Sequence, residues 1–216
     1  MPAPVSQGGS QARIPIYPRS VKGRFRRMKW AILIVAYSTY FLLPWLRWER
    51  VGAPDQALMF DIASRRFYIF DLVIHPSEIF WLAGLLFIAA MLLFFVTGIA
   101  GRAFCGYFCF QTLWTDVFIK IERMVQGERP ARIRLDKSGW DANKLLKKGL
   151  THLLWVGVAL LTGVTFVLYW GNAPVLLKQL FTGEAPFAAY ATALFLGSTT
   201  YVMAGLAREQ VCTYMC

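Results

Sequence analysis

The chain has 216 residues, of which 57% are hydrophobic and 16% are charged. Because an ordinary soluble domain carries about 25% charged residues, this composition favours an integral membrane protein over a soluble one. The formal net charge of +11 is concentrated in the segments between long apolar stretches. We therefore interpret it as a topology signal and expect no nucleic-acid partner.

Four stretches without Asp, Glu, Lys or Arg are candidates for membrane-spanning helices. They cover residues 30–46, 79–101, 149–177 and 185–207, and a bilayer core of about 30 Å requires roughly 20 apolar helical residues. The sequence thus predicts an all-α integral membrane protein with four transmembrane helices.

The predicted domain organisation follows from these stretches. Residues 1–29 form a basic N-terminal segment, 30–207 the four-helix membrane domain and 208–216 the start of a cytoplasmic cysteine segment. Seven Lys or Arg residues lie in 1–29 and ten in 102–148, against four in 47–78. Since Lys and Arg mark cytoplasmic loops, both termini are predicted to be cytoplasmic.

Two smaller elements are predicted between the spans. Residues 58–74 contain two short aromatic-rich runs around a turn, which predicts a small hairpin on the outside. Apolar residues recur at helical spacing between 113 and 125, which predicts an amphipathic helix on the cytoplasmic membrane surface. Pro130 and Pro174 are interpreted as breakers in the loops on either side of the third span.

All four cysteines fall into two C-x-x-x-C motifs, each at the end of a long apolar stretch. Residues four apart share one face of a helix, and the cytosol keeps thiols reduced, so disulfides are not expected. Four thiolates suit an iron–sulfur cluster or Zn, and two or three suit Cu(I). We therefore predict Cys105, Cys109, Cys212 and Cys216 as ligands of an iron–sulfur cluster or copper, and the spacing leaves that choice open.

The remaining polar residues suggest no further centre. Arg102 and Arg208 adjoin the two motifs and are expected to lower the pKa of the thiols. His75 and His152 are interpreted as structural. Hydrolase and nucleotide-binding motifs are absent from the sequence, so no catalytic residue is predicted.

Several short segments carry a family resemblance. They are Tyr17-Pro18-Arg19, Lys22–Arg27, Phe41–Trp45, Ala53–Gln56, Arg65–Phe67, Cys105–Cys109, Gln111-Thr112, Trp114–Asp116 and Arg208–Cys216. With these segments the chain, from about Ile16 onward, resembles the cytochrome c oxidase accessory proteins, the CcoG/FixG/RdxA-like membrane polyferredoxins. Phe110 departs from the pattern, because the family usually has Pro there.

The resemblance implies a multi-pass protein of the bacterial inner membrane that assists assembly of a cbb-type haem–copper oxidase and reduces Cu(II) to Cu(I). It implies oxidase subunits or copper-handling assembly proteins as partners besides the lipid bilayer, and it leaves homo-oligomers open. In the family a ferredoxin-like domain with two [4Fe–4S] clusters follows the fourth helix, whereas this chain ends at Cys216. We therefore expect this chain to be only the N-terminal membrane part of such a protein. The resemblance implies that the complete protein is an oxidoreductase (a cupric reductase).

Three hypotheses remain open on the residues alone. The first is a redox or metal-handling membrane accessory protein that transfers electrons, or delivers copper, through the four cysteines. The second is a non-enzymatic scaffold that docks a partner through the Trp114, Phe118 and Ile121 face of the amphipathic helix. The third is a metal-free thiol–disulfide relay.

Overall fold

The computed structural model describes residues 17–18, 23–49, 54–61, 64–100, 103–139 and 141–215. Most of the predicted N-terminal segment, 1–29, lies outside the described residues. The described chain is mostly helical. Its α-helices are α1 (Arg24–Leu42), α2 (Ile79–Ala100), α3 (Ala103–Tyr107), α4 (Phe110–Gln126), α5 (Arg129–Lys137), α6 (Ala142–Leu168), α7 (Ala173–Thr182), α8 (Phe187–Thr200) and α9 (Arg208–Gln210).

Three helical segments of the described chain are long and apolar enough to cross a membrane. They are Phe80–Ile99, Ala142–Leu168 and Phe187–Leu206. They overlap the last three predicted spans, although the predicted span 149–177 runs past the end of α6 into α7. The last of them joins α8 to a π-helical stretch, Tyr201–Leu206, which we call the π segment. These apolar helices indicate a membrane location for the chain.

The first predicted span, 30–46, is not confirmed. Its residues form the second part of α1 and a 3-10 turn, Leu43–Trp45, that contains Pro44. At 1.5 Å per residue, the apolar part of α1 is about 20 Å long, which is shorter than the bilayer core of about 30 Å. The four-span topology with cytoplasmic termini therefore stays a prediction.

The centre of the fold is the close pair formed by α6 and α8. Small residues face each other there: Ala159 and Gly163 on α6, and Ala193 and Gly197 on α8. A Cβ placed on Gly163 would lie 2.2 Å from the Ala193 carbonyl oxygen. Small residues of this kind let helix backbones approach closely inside a membrane, where packing drives helix association.

The amphipathic helix is confirmed as α4, whereas its predicted placement on the membrane surface stays a prediction. Its apolar face packs into the protein core against Trp155 of α6 and Ala204 of the π segment. Trp114 and Phe118 are 3% and 0% exposed. Since protein covers this face, it is also not available for the partner docking that the scaffold hypothesis assigned to Trp114, Phe118 and Ile121.

The predicted hairpin is present as a three-stranded antiparallel sheet. Its strands are β1 (Leu58–Asp61), β2 (Arg66–Ile69) and β3 (Leu72–Ile74), in that order. The sheet is fixed to the end of α6, because the Phe60 amide donates to the Tyr169 carbonyl at 2.8 Å. Buried Gln56 adds a second link, as its amide nitrogen donates to the Leu168 carbonyl at 3.1 Å.

α2 differs from the other membrane-spanning helices because none of the residues in its most apolar part is buried inside the protein. Phe80, Trp81 and Phe94 are all more than 70% exposed. Its surface is therefore left to lipid or to another protein. The first cysteine motif begins shortly after α2 ends, so this exposed helix leads directly into it.

Candidate functional site

The first cysteine pair lies in the short helix α3 and in the tight turn that joins it to α4. Cys105 belongs to α3, whereas Cys109 has extended backbone and precedes the first residue of α4. The Thr112 hydroxyl donates to the Cys105 carbonyl at 2.7 Å, and the Cys109 amide donates to the Phe104 carbonyl at 3.1 Å. The two cysteines thus do not share one continuous helix face, which corrects the expectation drawn from their spacing.

Both thiols of this turn are accessible for binding. Cys105 is exposed, Cys109 is partly buried, and both are free cysteines. Phe110, which replaces the expected Pro, begins α4 and stacks on Trp114 with ring centroids 3.9 Å apart. The turn is therefore held on the core of the protein through the first residues of α4.

A hydrogen bond connects this turn to the last membrane-spanning segment. Gln111 donates its side-chain amide to the Met203 carbonyl in the π segment at 2.7 Å. Further along α4, the buried Glu122 accepts from Arg132 at 2.7 Å and from Arg208 at 3.2 Å. α4 thus contacts the chain on its way to the second cysteine motif.

The second cysteine pair follows these contacts. Cys212 is exposed in a second π-helical stretch, Val211–Met215, and Cys216 lies outside the described residues. Cys109 immediately precedes α4. Arg208, four residues before Cys212, pairs with Glu122 near the other end of the same helix. The two motifs therefore adjoin different ends of α4. Within the described ranges, no three Cys, His, Asp or Glu side chains gather into a group that could hold a metal ion.

Of the two basic residues beside the motifs, the structure describes Arg208, which pairs with an acid. Arg208 binds the Glu122 carboxylate through both terminal nitrogens, at 3.2 and 3.4 Å, so its charge is directed at an acid. Arg102 lies outside the described residues. His152 contacts the Tyr201 hydroxyl at 2.9 Å, in agreement with a structural role.

Glu122, Arg132 and Arg208 line a cavity of about 320 Å³ between α4, α5, α6 and the π segment. At its edge, burial opposes ionisation of Asp136, but the Lys148 ammonium and the Tyr17 hydroxyl outweigh it and hold the pKa of this carboxyl below its usual value. The hydrogen bond to Asp136 in turn raises the pKa of Tyr17. The charges of this cavity are thus mutually neutralised and stabilise the fold. The sequence did not predict this cavity, because the residues that line it lie far apart along the chain.

We expect the Asp136→Asn variant to change how stability depends on pH. A carboxyl with a lowered pKa stabilises the folded state above its unfolded pKa of about 3.9, and this contribution is lost as the pH falls below it. The wild-type Tm should therefore exceed that of the variant at pH 7, and the difference should shrink as the pH falls below about 3.9 towards the lowered pKa of the folded state. Asp55→Asn, at an exposed position, is the control. A Tm difference that is independent of pH would contradict the prediction.

Comparisons with known proteins place the first motif in a recognised domain. A family described as a 4Fe-4S binding domain matches residues 80–127, a range that contains Cys105 and Cys109. The match supports an iron–sulfur cluster, and it gives no support to copper. No solved structure matches the chain.

Three curated proteins match nearly the whole chain. The nitrogen fixation protein FixG of Rhizobium meliloti is 48% identical over 207 residues, which cover 95% of this chain and 40% of FixG. Protein RdxA of Cereibacter sphaeroides is 47% identical over 94% of this chain and 44% of its own length. Protein RdxB of the same organism is 47% identical over 94% of this chain and 43% of its own length. The chain spans about two-fifths of the length of these relatives, and on this identity over most of its residues it belongs to the FixG/RdxA-like family.

Proposed function

We propose that this chain is the membrane part of an iron–sulfur protein that transfers electrons during the assembly of a haem–copper oxidase. The observation that carries the proposal is the 4Fe-4S domain match over residues 80–127. Its cysteines, Cys105 and Cys109, lie in an ordered turn on the core of the fold.

The donor set fits such a group. A [4Fe–4S] cluster is held by four thiolates, and the two motifs of this chain supply four cysteines. We assign Cys105 and Cys109 as one pair of ligands and Cys212 and Cys216 as the other. Because the three described thiols are not gathered, the assignment requires the segment after buried Val211 to approach the turn between α3 and α4.

The protein residues around the first pair have roles that follow from their contacts. Thr112 fixes the carbonyl of Cys105, and Gln111 holds the turn beside the π segment. The exposure of Cys105 leaves a path by which a partner can approach within electron-transfer distance. The bound cluster would supply one-electron chemistry at this surface.

We further propose that these electrons reduce Cu(II) to Cu(I), one electron for each ion, for a cbb-type oxidase in the bacterial inner membrane. The support is the family resemblance together with a thiol-bearing turn that is accessible at the protein surface. Oxidase subunits and copper-handling assembly proteins are the proposed partners. The step needs an electron donor, which the ferredoxin-like domain of the family would provide.

The test is replacement of each cysteine by Ser in protein purified without oxygen. We expect each of the four variants to lose more than half of the iron and acid-labile sulfide, because each removes one ligand. Tyr107→Phe and Thr213→Ser, which alter each motif but keep its thiols, are the controls and should retain both. Equal iron and sulfide in all variants would contradict the proposed cluster.

The pattern among the four variants also tests the ligand assignment. Loss of iron in Cys105→Ser and Cys109→Ser alone would remove the second pair from the ligand set.

A separate experiment tests the copper step. The loaded protein is chemically reduced, Cu(II) is added, and a Cu(I)-specific dye reports the product. Unchanged dye formation in a variant that has lost its iron would separate copper reduction from the cluster. Redox-dependent gel mobility without iron would favour the thiol–disulfide relay.

A further inference from the structure

A pocket lined by positive charge lies between the first turns of α1 and the second half of α4. It is a pocket of about 760 Å³, which we call the basic pocket. The side chains that line it are Arg24, Arg26, Arg27, Trp30, Lys120 and Arg123. Five of these six side chains are cationic, and none of the described residues that line the pocket is acidic.

Most of this charge is not neutralised within the described chain. Arg26 pairs with Asp116 at 3.2 Å, and Asp116 is shared with Lys29 at 2.7 Å. Arg24, Arg27, Lys120 and Arg123 form no ion pair with a described residue. Cations held this close repel each other, so an anion in the pocket would be attracted by the whole group.

In the part of the chain that the structure describes, Arg123 also lacks a hydrogen-bond partner for one of its side-chain nitrogens. Its terminal Nη2 donates to the Pro18 carbonyl at 3.2 Å, whereas its Nε is buried without a hydrogen-bond partner in the described structure. A buried donor without a partner costs free energy. Since a guanidinium group matches the oxygens of a phosphate in geometry and charge, a phosphate would satisfy this donor and the unpaired cations together.

The position of the pocket indicates which class of phosphate compound it would bind. It lies where the basic start of α1 changes to its apolar part, and the Lys120 ammonium stands 4.2 Å from the centroid of the Trp30 ring. Phe25 and Met28, between the cations on α1, are 74% and 47% exposed. Basic side chains that alternate with exposed apolar ones beside a tryptophan are typical of the headgroup level of a bilayer.

We propose that the basic pocket binds the phosphate group of an anionic phospholipid. The cations of α1 and α4 hold the phosphate, and Phe25 and Met28 contact the start of the acyl chains. This site is separate from the cysteine motifs, and its occupancy does not depend on the proposed cluster. Bound lipid would fix α1 against α4 and so stabilise the membrane part.

The experiment titrates short-chain phosphatidylglycerol into the detergent-purified chain and measures heat of binding. Short-chain phosphatidylcholine and glycerol phosphate are titrated in parallel. The test variant is Arg27→Gln/Lys120→Gln, and the control variant is Arg134→Gln/Lys137→Gln, which removes two exposed charges from neighbouring α5. At about 1 kcal/mol for each basic residue near an anionic surface, the test variant should bind phosphatidylglycerol about thirtyfold more weakly.

Each outcome bears on the proposal. Preference for phosphatidylglycerol over phosphatidylcholine, lost in the test variant and kept in the control, supports a lipid site. Equally tight binding of glycerol phosphate, lost in the same variant, keeps the phosphate site but assigns it to a soluble phosphate. Equal binding by both variants overturns the proposal. Arg24→Gln, an exposed position that leaves Trp30 in place, should weaken binding about fivefold and covers the case that the double variant does not fold.

Discussion

Replacement of Glu122 by Gln is expected to lower the free energy of unfolding by about 3–5 kcal/mol, because it breaks a buried ion pair from one side only. The Glu122 side chain is 8% exposed, and those of its partners Arg132 and Arg208 are 5% and 12% exposed. Two guanidinium groups would then stay buried beside a neutral amide. Arg132 has little to compensate, since its Nε and Nη1 are already buried without partners among the described residues.

The measurement is thermal unfolding of detergent-purified protein, where this loss corresponds to a fall in Tm of roughly 10 °C. Glu128→Gln is the matched control, because it removes the same charge at an exposed position just after α4. The double variant Glu122→Gln/Arg208→Gln should be less destabilised than the sum of its single variants, since it removes one of the unpaired cations. A fall no larger than that of Glu128→Gln would contradict the assigned ion pair.

Glu122 also shows where prediction from the sequence reached its limit. The helical spacing of apolar residues between 113 and 125 predicted α4 to within a few residues. The same spacing fits a helix on a membrane surface and a helix in a protein core, however, so it could not show what covers the apolar face. Nor could it show that Glu122 on the polar side is buried, because Arg132 and Arg208 lie on separate elements.

The two prolines and the cysteines show a related limit. Pro130 and Pro174 were interpreted as breakers, yet each stands in the first turn of a helix, α5 or α7. Proline is favoured there because its missing amide hydrogen would have no partner anyway. The cysteine spacing predicted two pairs of ligands, but whether the pairs meet depends on the path of the chain after Arg208.

The small residues of α6 and α8 carried a pattern that sequence analysis missed. Ala159 and Gly163 are four residues apart, and so are Ala193 and Gly197. Small residues at this spacing mark a close helix–helix contact in membrane proteins. The pattern would have predicted that the third and fourth candidate spans are neighbours. For the second span, which α2 forms, the structure shows no such neighbour, because none of its most apolar residues is buried against the described chain.

Replacement of Gly163 by Leu is expected to separate α6 from α8 and to destabilise the protein by more than about 3 kcal/mol, beyond the usual range for overpacking. Even a Cβ at this position would lie 2.2 Å from the Ala193 oxygen and 3.0 Å from the Gly197 nitrogen. Both atoms belong to backbone, so no side chain can rotate away to make room. Relief therefore requires the helices themselves to move apart, which opens the core around Trp155 and the π segment.

Gly157→Leu is the matched control, because it makes the same change on the same helix at an exposed position with no atom within 4 Å of its added Cβ. Its Tm should stay close to that of the wild type, whereas Gly163→Leu should give little monodisperse protein and a lower Tm. Gly163→Ala should fall between them. Since the π segment leads to Arg208 and Cys212, separation of the helices should also reduce iron retention if the second pair supplies ligands. Equal stability of Gly163→Leu and Gly157→Leu would show that α6 and α8 do not meet at this glycine.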